Sequence, residues 1–458
     1  MADTITAIST PPGEGGIGIV RVSGPLAEKI MRGVFSACPD KIKPRHAYYG
    51  KVTEKDGTEI DEAIFILMKA PHTYTCEDVF EIQAHGGTVS MRKILRRTVE
   101  EGARLAEPGE FTKLAFLNGR IDLTQAEAVI DIIKAKSELP HDVAVKQLAG
   151  TLADDVSDIR DLIKDALAQM AVNIDFPDED IEQEEYEKLI GELSLVLERV
   201  RALIKTSGIG RIAKEGIKVA IAGRPNVGKS SLMNAMLGEK RVIVTDVPGT
   251  TRDTIEELAN VAGVPVVLID TAGIRDTDDE VERIGIERSN EELEKADIIL
   301  LVLDASEALT KEDGDLLSKL DGKKVLVIMN KKDKGVIIEG AKIEQSLKNT
   351  PILYTSLTVP ELRNESVRDV VKAMEDIVLG GDVSAENAAI VANERQLDAL
   401  KRAEQSLCDA IDLLRLGNPL EIAELDAHMA YDALGEIVGE TSGEEILDAV
   451  FSKFCLGK

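Results

Sequence analysis

Gly223-Arg-Pro-Asn-Val-Gly-Lys229-Ser230 has the spacing G-x-x-x-x-G-K-[ST] of a phosphate-binding loop, and it follows the apolar run Ile217 to Ile221. Glycines let such a loop curl around a phosphate with its N–H groups inward, and the helix that follows presents its positive end to the same charge. The loop contacts are expected from Asn226, Val227, Gly228, Lys229, Ser230 and Ser231, with Lys229 on the β- and γ-phosphates and Ser230 on Mg²⁺. Asp270-Thr271-Ala272-Gly273 comes after a second apolar run, Val264 to Ile269, which places a carboxylate near Mg²⁺ and a glycine where a γ-phosphate is sensed. Asn330-Lys331-Lys332-Asp333 follows a third, Val325 to Met329. Asp333 there can accept two hydrogen bonds from the edge of guanine, while Asn330 braces the neighbouring loop. Adenine lacks those donors and would leave the carboxylate unpaired, so guanine is preferred.

Thr250 and Thr251, in Gly249-Thr-Thr-Arg-Asp253, supply the hydroxyl with which a switch segment closes on Mg²⁺ and the γ-phosphate. Ser356 is the weakest of the set. It stands in Ser-Leu-Thr where many GTPases have Ser-Ala-Lys, and only a backbone contact with the base is assigned to it. The residue after Gly273 is Ile274, where Ras-like enzymes carry the glutamine that orients the attacking water. Either hydrolysis is very slow or another group positions that water. The acidic stretch Asp276 to Glu282 offers candidates.

These segments need a doubly wound α/β domain to position them, and alternating strands and helices from about 216 to 380 supply one. Residues 1 to 118 mix β-branched alternation (Ile17 to Val22, Ala63 to Met68, Val79 to Gln83) with Gly/Pro turns and a helix near Ser90 to Gly102, which reads as an α+β domain. Helix-period segments fill 119–215, through Ala126 to Lys136, Val143 to Val172 and Glu185 to Ile204, with the acidic Asp175 to Glu187 interrupting them. Helical character returns in 381–458, after Gly380-Gly381. Two helical arms around one α/β domain suggest a GTPase inserted in a discontinuous helical domain.

The chain has 458 residues and a formal net charge of −28, which argues against broad electrostatic capture of nucleic acid. If RNA is a substrate, a partner or a local basic patch must help. Cys38, Cys76, Cys408 and Cys455 are widely separated and form no C-x-x-C pair, a reducing, cytosolic pattern that speaks against zinc and a disulfide framework. The start of the sequence lacks a basic and apolar leader, and the longest apolar runs are too short to cross a bilayer.

Several further motifs carry a resemblance: Thr10-Pro-Pro-Gly with Gly16-Ile-Gly-Ile-Val-Arg21, Glu77-Asp-Val near His85-Gly-Gly87, Pro108-Gly-Glu-Phe-Thr112, Ala115-Phe-Leu-Asn-Gly-Arg120, Gly249-Thr-Thr-Arg-Asp253 and the final Phe454-Cys-Leu-Gly-Lys458. With the order of its domains, the chain resembles the MnmE (TrmE) family of tRNA modification GTPases over essentially its whole length. The resemblance implies an N-terminal α+β domain like tetrahydrofolate-binding domains, a discontinuous helical domain and an inserted Ras-like GTPase domain. It implies a cytoplasmic homodimer through residues 1–118. With a flavin-dependent partner called MnmG or GidA, the dimer installs an aminomethyl-type group on C5 of the wobble uridine of certain tRNAs. A folate derivative (5-formyl or methylene form) supplies the one-carbon unit, and GTP turnover drives a conformational cycle.

Residue by residue, the resemblance places folate at Arg21, Glu77 and Arg120, with Lys458 in the terminal segment that reaches the same centre. A guanidinium suits the glutamyl tail and a carboxylate suits the pterin ring; the plainer reading makes both arginines members of surface or domain-interface ion pairs. Cys76 sits where many relatives have glycine. Asn226 matches a K⁺ ligand, and the segment Thr245-Asp246-Val247-Pro248-Gly249 matches the loop whose carbonyls complete the cage, giving Thr245, Val247 and Thr250 as further K⁺ ligands. K⁺ takes the place an arginine finger fills elsewhere, across paired GTPase domains. Glu282 matches the glutamate that orients the water, Arg275 a switch residue, and Arg252 reads as a switch or interface arginine. By default Cys455 would be a small buried hydrophobe; the resemblance makes it a residue needed for modification. A ribosome-assembly GTPase of the same K⁺-activated class is the first alternative, though no basic RNA-binding domain is evident. A purely mechanical scaffold is the second.

Overall fold

The computed structural model describes residues 3–175, 183–238, 256–261, 263–270, 291–338, 343–344, 347, 350–379, 389–441 and 443–458. The described chain divides into two compact units, Met1–Ile130 with Gln147–Val200 and Asp398–Lys458, and Asp131–Lys146 with Arg201–Leu397.

In the first unit a six-stranded sheet has the order β3-β4-β5-β2-β1-β6. Its strands are β1 (Ile5–Ile8), β2 (Gly15–Ser23), β3 (Ala47–Thr53), β4 (Glu59–Met68), β5 (Val79–Gly86) and β6 (Arg104–Leu105). All pairings are antiparallel except β1 with β6. Alternate residues of β2, β4 and β5 (Val20, Val22, Phe65, Leu67, Phe80, Ile82) point to one face and pack with Ile30, Met31, Met91 and Ile94 of helices α1 (Ala27–Val34) and α2 (Thr88–Glu100). Among the described residues this unit also holds α3 (Glu110–Leu117), α4 (Leu123–Lys134, as far as Ile130) and α6 (Thr151–Asp175), with α5 (Glu138–Leu148) between the last two in sequence, and the later helices of Asp398–Lys458. The helix α6 packs along the later helix Leu420–Val438, whose buried face is built from Ala423, Ala427, Ala430 and Ala433. Small residues at that spacing let the two backbones approach closely. The long helix α7 (Gln183–Glu215) is continuous, and the boundary between the units falls within it.

The second unit holds the other sheet, ordered β12-β11-β10-β7-β9-β8. Here β7 (Ile217–Ala222), β9 (Val264–Asp270), β10 (Ile298–Asp304), β11 (Val325–Asn330) and β12 (Ile352–Tyr354) are parallel, and β8 (Glu256–Val261) is antiparallel at the edge. Both faces are covered. Val219, Ile221, Leu300, Val302, Leu326 and Ile328 face one cluster, and Ala220, Ala222, Leu301, Leu303, Val327 and Met329 the other. This is why these strands read as unbroken apolar runs in the sequence. The strand order reverses direction between β7 and β10, and in open parallel sheets ligands bind beyond the carboxyl ends of the strands at such a point.

The strands and helices anticipated from periodicity are present among the described residues, with two refinements: the stretch Val143 to Val172 is two helices, α5 and α6, separated at Gly150, which has φ +93°, and the helical stretch Ile422 to Phe454 is broken at Gly439 into Leu420–Val438 and Glu444–Phe451. The middle of the acidic interruption and Gly380-Gly381 lie outside the described residues. Among the described residues no helix is long and apolar enough to cross a membrane.

Candidate functional site

The carboxyl edge of the second sheet gathers the residues expected from the sequence to bind nucleotide. The loop leaves β7, turns through Asn226 (φ +64°) and Gly228 (φ +113°), and enters α8 (Lys229–Leu237). Gly228 is the N-cap of α8, and no side chain caps the helix, so the positive end of the helix points at the loop. A Cβ at Gly228 would lie 2.2 Å from Asn330 Nδ2, and that amide donates to the Val227 carbonyl at 2.8 Å. Asn330 thus braces the loop, as its position in the sequence suggests. Its own oxygen accepts from Thr355 Oγ1 at 3.3 Å. Lys229 is 6% exposed as a residue, and its ammonium donates to the carbonyls of Gly223 and Arg224 at 2.6 and 2.9 Å, which hold it over the loop. Ser230 and Ser231 lie exposed in the first turn of α8. Asp270 is the last residue of β9, and its backbone pairs with Ile221 at the root of the loop.

The residues expected to recognise the base stand beside them. Asp333 is exposed in the turn after β11, and Ser356 Oγ donates to its carboxylate. The backbone N–H of Ser356, expected to meet the base, is instead engaged by Ser366 Oγ at 3.0 Å. Ser356 is fully buried, and its side chain holds the Asp333 carboxylate. Two supports were missed by sequence reasoning. Asp304, at the end of β10, pairs with Lys331 at 2.5 Å. Arg224 pairs with Asp313 at 2.9 Å, a buried carboxylate that also closes a capping box with Thr310 at the start of helix Lys311–Lys319. Asp304 could have been found, because it ends an apolar run just as Asp270 and Asn330 do. The switch positions Thr245, Asp246, Val247, Pro248, Gly249, Thr250, Thr251, Arg252, Thr271, Ala272, Gly273, Ile274, Arg275 and Glu282 lie outside the described residues.

In the first unit, Tyr74 joins the two arginines. The Arg21 guanidinium lies 5.6 Å from the Tyr74 ring centroid and equally far from that of Phe111, and the Arg120 guanidinium lies 4.8 Å from the same Tyr74 ring. Arg120 also donates to the Tyr74 carbonyl at 3.1 Å. The plainer reading of the arginines holds for one of them. Arg21 bonds Glu81, its cross-strand neighbour, at 2.9 Å, whereas Arg120 meets no carboxylate among the described residues. Glu77 accepts from Ser23 Oγ at 3.0 Å, and Ser23 shares a 2.7 Å bond with Thr75. Burial pushes the Glu77 carboxyl above its ordinary range against the Ser23 hydrogen bond, and the nearby charge of Glu110 adds to the rise. Cys76 has φ +61°, a left-handed conformation that favours glycine, and it keeps that turn despite its side chain.

The terminal segment is fixed against the same unit. Phe454 is buried among Phe451, Ala115 and Leu123, with Tyr74 packed on that cluster. Gly457 (φ +87°) lies so close to β1 that a Cβ there would come within 2.3 Å of the Ile8 carbonyl. Between these anchors Cys455 is exposed, not the buried hydrophobe expected by default, and Lys458 is half-buried. Among the described residues no group of three or more His, Cys, Asp or Glu side chains could hold a metal ion.

Known proteins are similar to this chain over its whole length. A family model described as the GTP-binding protein TrmE N-terminus matches residues 4–120, and one described as the MnmE helical domain matches residues 123–455. A tRNA modification GTPase MnmE of Clostridioides difficile is 45% identical over 100% of this chain and 99% of its own length, and that of Bacillus subtilis is 43% identical over the full length of both. A solved structure of an Aquifex aeolicus Era variant bound to GDP and AlF4⁻ is 28% identical, covering 41% of this chain and 66% of its own, with a TM-score of 0.29, an agreement too low to argue from. On the family models and the full-length relatives, the chain belongs to the MnmE family of tRNA modification GTPases.

Proposed function

We propose that the chain binds GTP at the carboxyl edge of its second sheet, hydrolyses it, and uses the turnover to support one-carbon chemistry on the wobble uridine of tRNA in its first unit. The observation that carries the nucleotide half is the Asn330 to Val227 bond, which ties the base-recognition strand to the phosphate loop. The uncapped start of α8, the inward Lys229 and the Ser356-oriented Asp333 give the phosphates donors at one end and guanine an acceptor at the other. Mg²⁺ fits the hydroxyl of Ser230, joined by Thr251, and K⁺ fits the amide oxygen of Asn226 with Thr245, Val247 and Thr250; when bound, the two ions offset phosphate charge. Glu282 is assigned to the water and Arg275 to the switch.

Tyr74 with its two arginines supports the folate half. An aromatic face, a guanidinium free of carboxylates at Arg120 and a half-buried carboxyl at Glu77 suit the ring and acidic tail of a tetrahydrofolate. Lys458 offers a further cation, and the exposed Cys455 thiol stands on a segment anchored at both ends. The flavin-dependent partner, the cytoplasmic homodimer through residues 1–118 and the domain limits 119–215, 216–380 and 381–458 belong to the same proposal.

Hydrolysis measured in KCl and in NaCl at equal ionic strength tests the nucleotide assignment. Strong K⁺ stimulation that is lost in Asn226→Ala is expected, and equal rates in both salts would remove K⁺ from the account. Cys455→Ser is expected to abolish tRNA modification while GTP hydrolysis continues; loss of both together would contradict a separate modification role.

A further inference from the structure

Two lysines face the nucleotide-binding edge, and they are held differently. Lys229 is held by loop carbonyls. Lys331 is held by a buried carboxylate that no motif contains. Asp304 is 4% exposed at the end of β10, in register with Asn330 across the sheet. One of its oxygens pairs with Lys331 Nζ at 2.5 Å, and the other accepts from both the N–H and the hydroxyl of Ser306, at 3.0 and 2.7 Å. Both oxygens are therefore committed. Burial alone would push this carboxyl up, yet the hydrogen bonds from Lys331 and Ser306 and the lysine charge hold it below the ordinary aspartate range. Lys331 itself sits at φ +65°, so its stem departs from the strand at an angle that its backbone does not favour and that the ion pair fixes.

We propose that Asp304 is a positioning residue of the guanine site: it pins the Lys331 ammonium, so that the aliphatic stem lies as a fixed wall beside the base read by Asp333. This rests on the guanine-nucleotide reading above. A lysine has four rotatable bonds, and ordering it only when ligand arrives would cost affinity. The pair performs that ordering in advance, and Ser306 performs it for Asp304.

The test is equilibrium binding of fluorescent GDP together with steady-state GTP hydrolysis, for the full chain and for Asp304→Asn, Ser306→Ala, Lys331→Met and the double variant Asp304→Asn/Lys331→Met. Binding of GDP but not ADP by the unaltered chain establishes the reading on which the proposal rests; failure there sinks that reading, whatever the variants do. Given that binding, Asp304→Asn is expected to weaken GDP about tenfold, with the loss in KM and not in kcat. Ser306→Ala is expected to show a smaller loss of the same kind, and it remains informative if Asp304→Asn does not fold. The double variant is expected to be no worse than Lys331→Met alone, because both act through one contact. Undiminished GDP affinity in folded Asp304→Asn, additive losses in the double variant, or a fall in kcat at constant KM would each overturn the proposal.

Discussion

Asp304 in the second unit and Glu77 in the first are carboxylates withdrawn from water, yet they are driven in opposite directions. Asp304 has a lysine and two Ser306 donors and is held ionised below its usual range. Glu77 has one hydroxyl donor, no cation among the described residues, and Glu110 nearby, and it is driven up. The nucleotide site thus completes its own charges before ligand arrives, whereas the N-terminal site leaves a carboxyl short of donors. In the first case the protein orders its reading groups; in the second the ligand must bring the donors.

The sharpest way to break this comparison is at the phosphate loop. Gly228→Val puts a side chain into Asn330 and onto a left-handed backbone, so nucleotide binding and hydrolysis should vanish while folate binding by the first unit persists. Parallel loss of both would contradict the separation. Asp333→Asn comes next: exchanging an acceptor pair for an amide should cost GTP roughly 10⁴ in specificity and favour XTP, which competition binding would show. A third test is Gly457→Ala, which drives a methyl into the Ile8 carbonyl; folate-dependent tRNA modification should fall with GTP hydrolysis intact. Arg120→Ala is smaller, removing a cation–π contact and a tail partner worth about 1–2 kcal/mol, which titration of 5-formyltetrahydrofolate would read as roughly a tenfold loss.

The smallest effect sharpens the contrast in sign. A carboxyl whose folded pKa lies above its unfolded value destabilises the fold wherever it is ionised, so its cost is present above the folded pKa and fades as pH falls through it toward 4.5. Glu77→Gln should therefore leave the melting temperature at pH 7 unchanged or slightly raised, while abolishing preferential folate binding. In the unaltered chain, folate affinity should decline on acidification at a pH higher than an ordinary glutamate would cause. Asp304 has the reverse sign. Its contribution is present above the unfolded aspartate pKa and is lost only below that value, as pH falls through the lowered folded pKa.

The nucleotide site was legible because its parts are local. Each motif directly follows an apolar run, and a buried parallel strand is a short run with its functional residue at the carboxyl end. The exceptions are instructive. Asp304 ends such a run but belongs to no pattern, and the Ser356 hydroxyl that holds Asp333 was not anticipated from its motif position. The first-unit site is assembled from distant segments: Tyr74 meets Arg21 and Arg120, and Gly457 meets Ile8, so periodicity could give the strands but not the meeting. Resemblance named Arg21, Glu77 and Arg120, yet Tyr74, Ser23 and Thr75, which hold them, carry no motif of their own. Cys76 shows the opposite case, where a left-handed turn explains why glycine suits that position.

The central claim is that one chain carries two separable ligand sites, one complete in its charges and one awaiting donors. Calorimetric titration of GDP and of 5-formyltetrahydrofolate into the unaltered chain, Asp333→Asn and Arg120→Ala tests it most directly. The account expects the unaltered chain to bind both ligands, Asp333→Asn to lose GDP alone and Arg120→Ala to weaken folate alone. Failure of the unaltered chain to bind either ligand, or loss of both in a single variant, would contradict it.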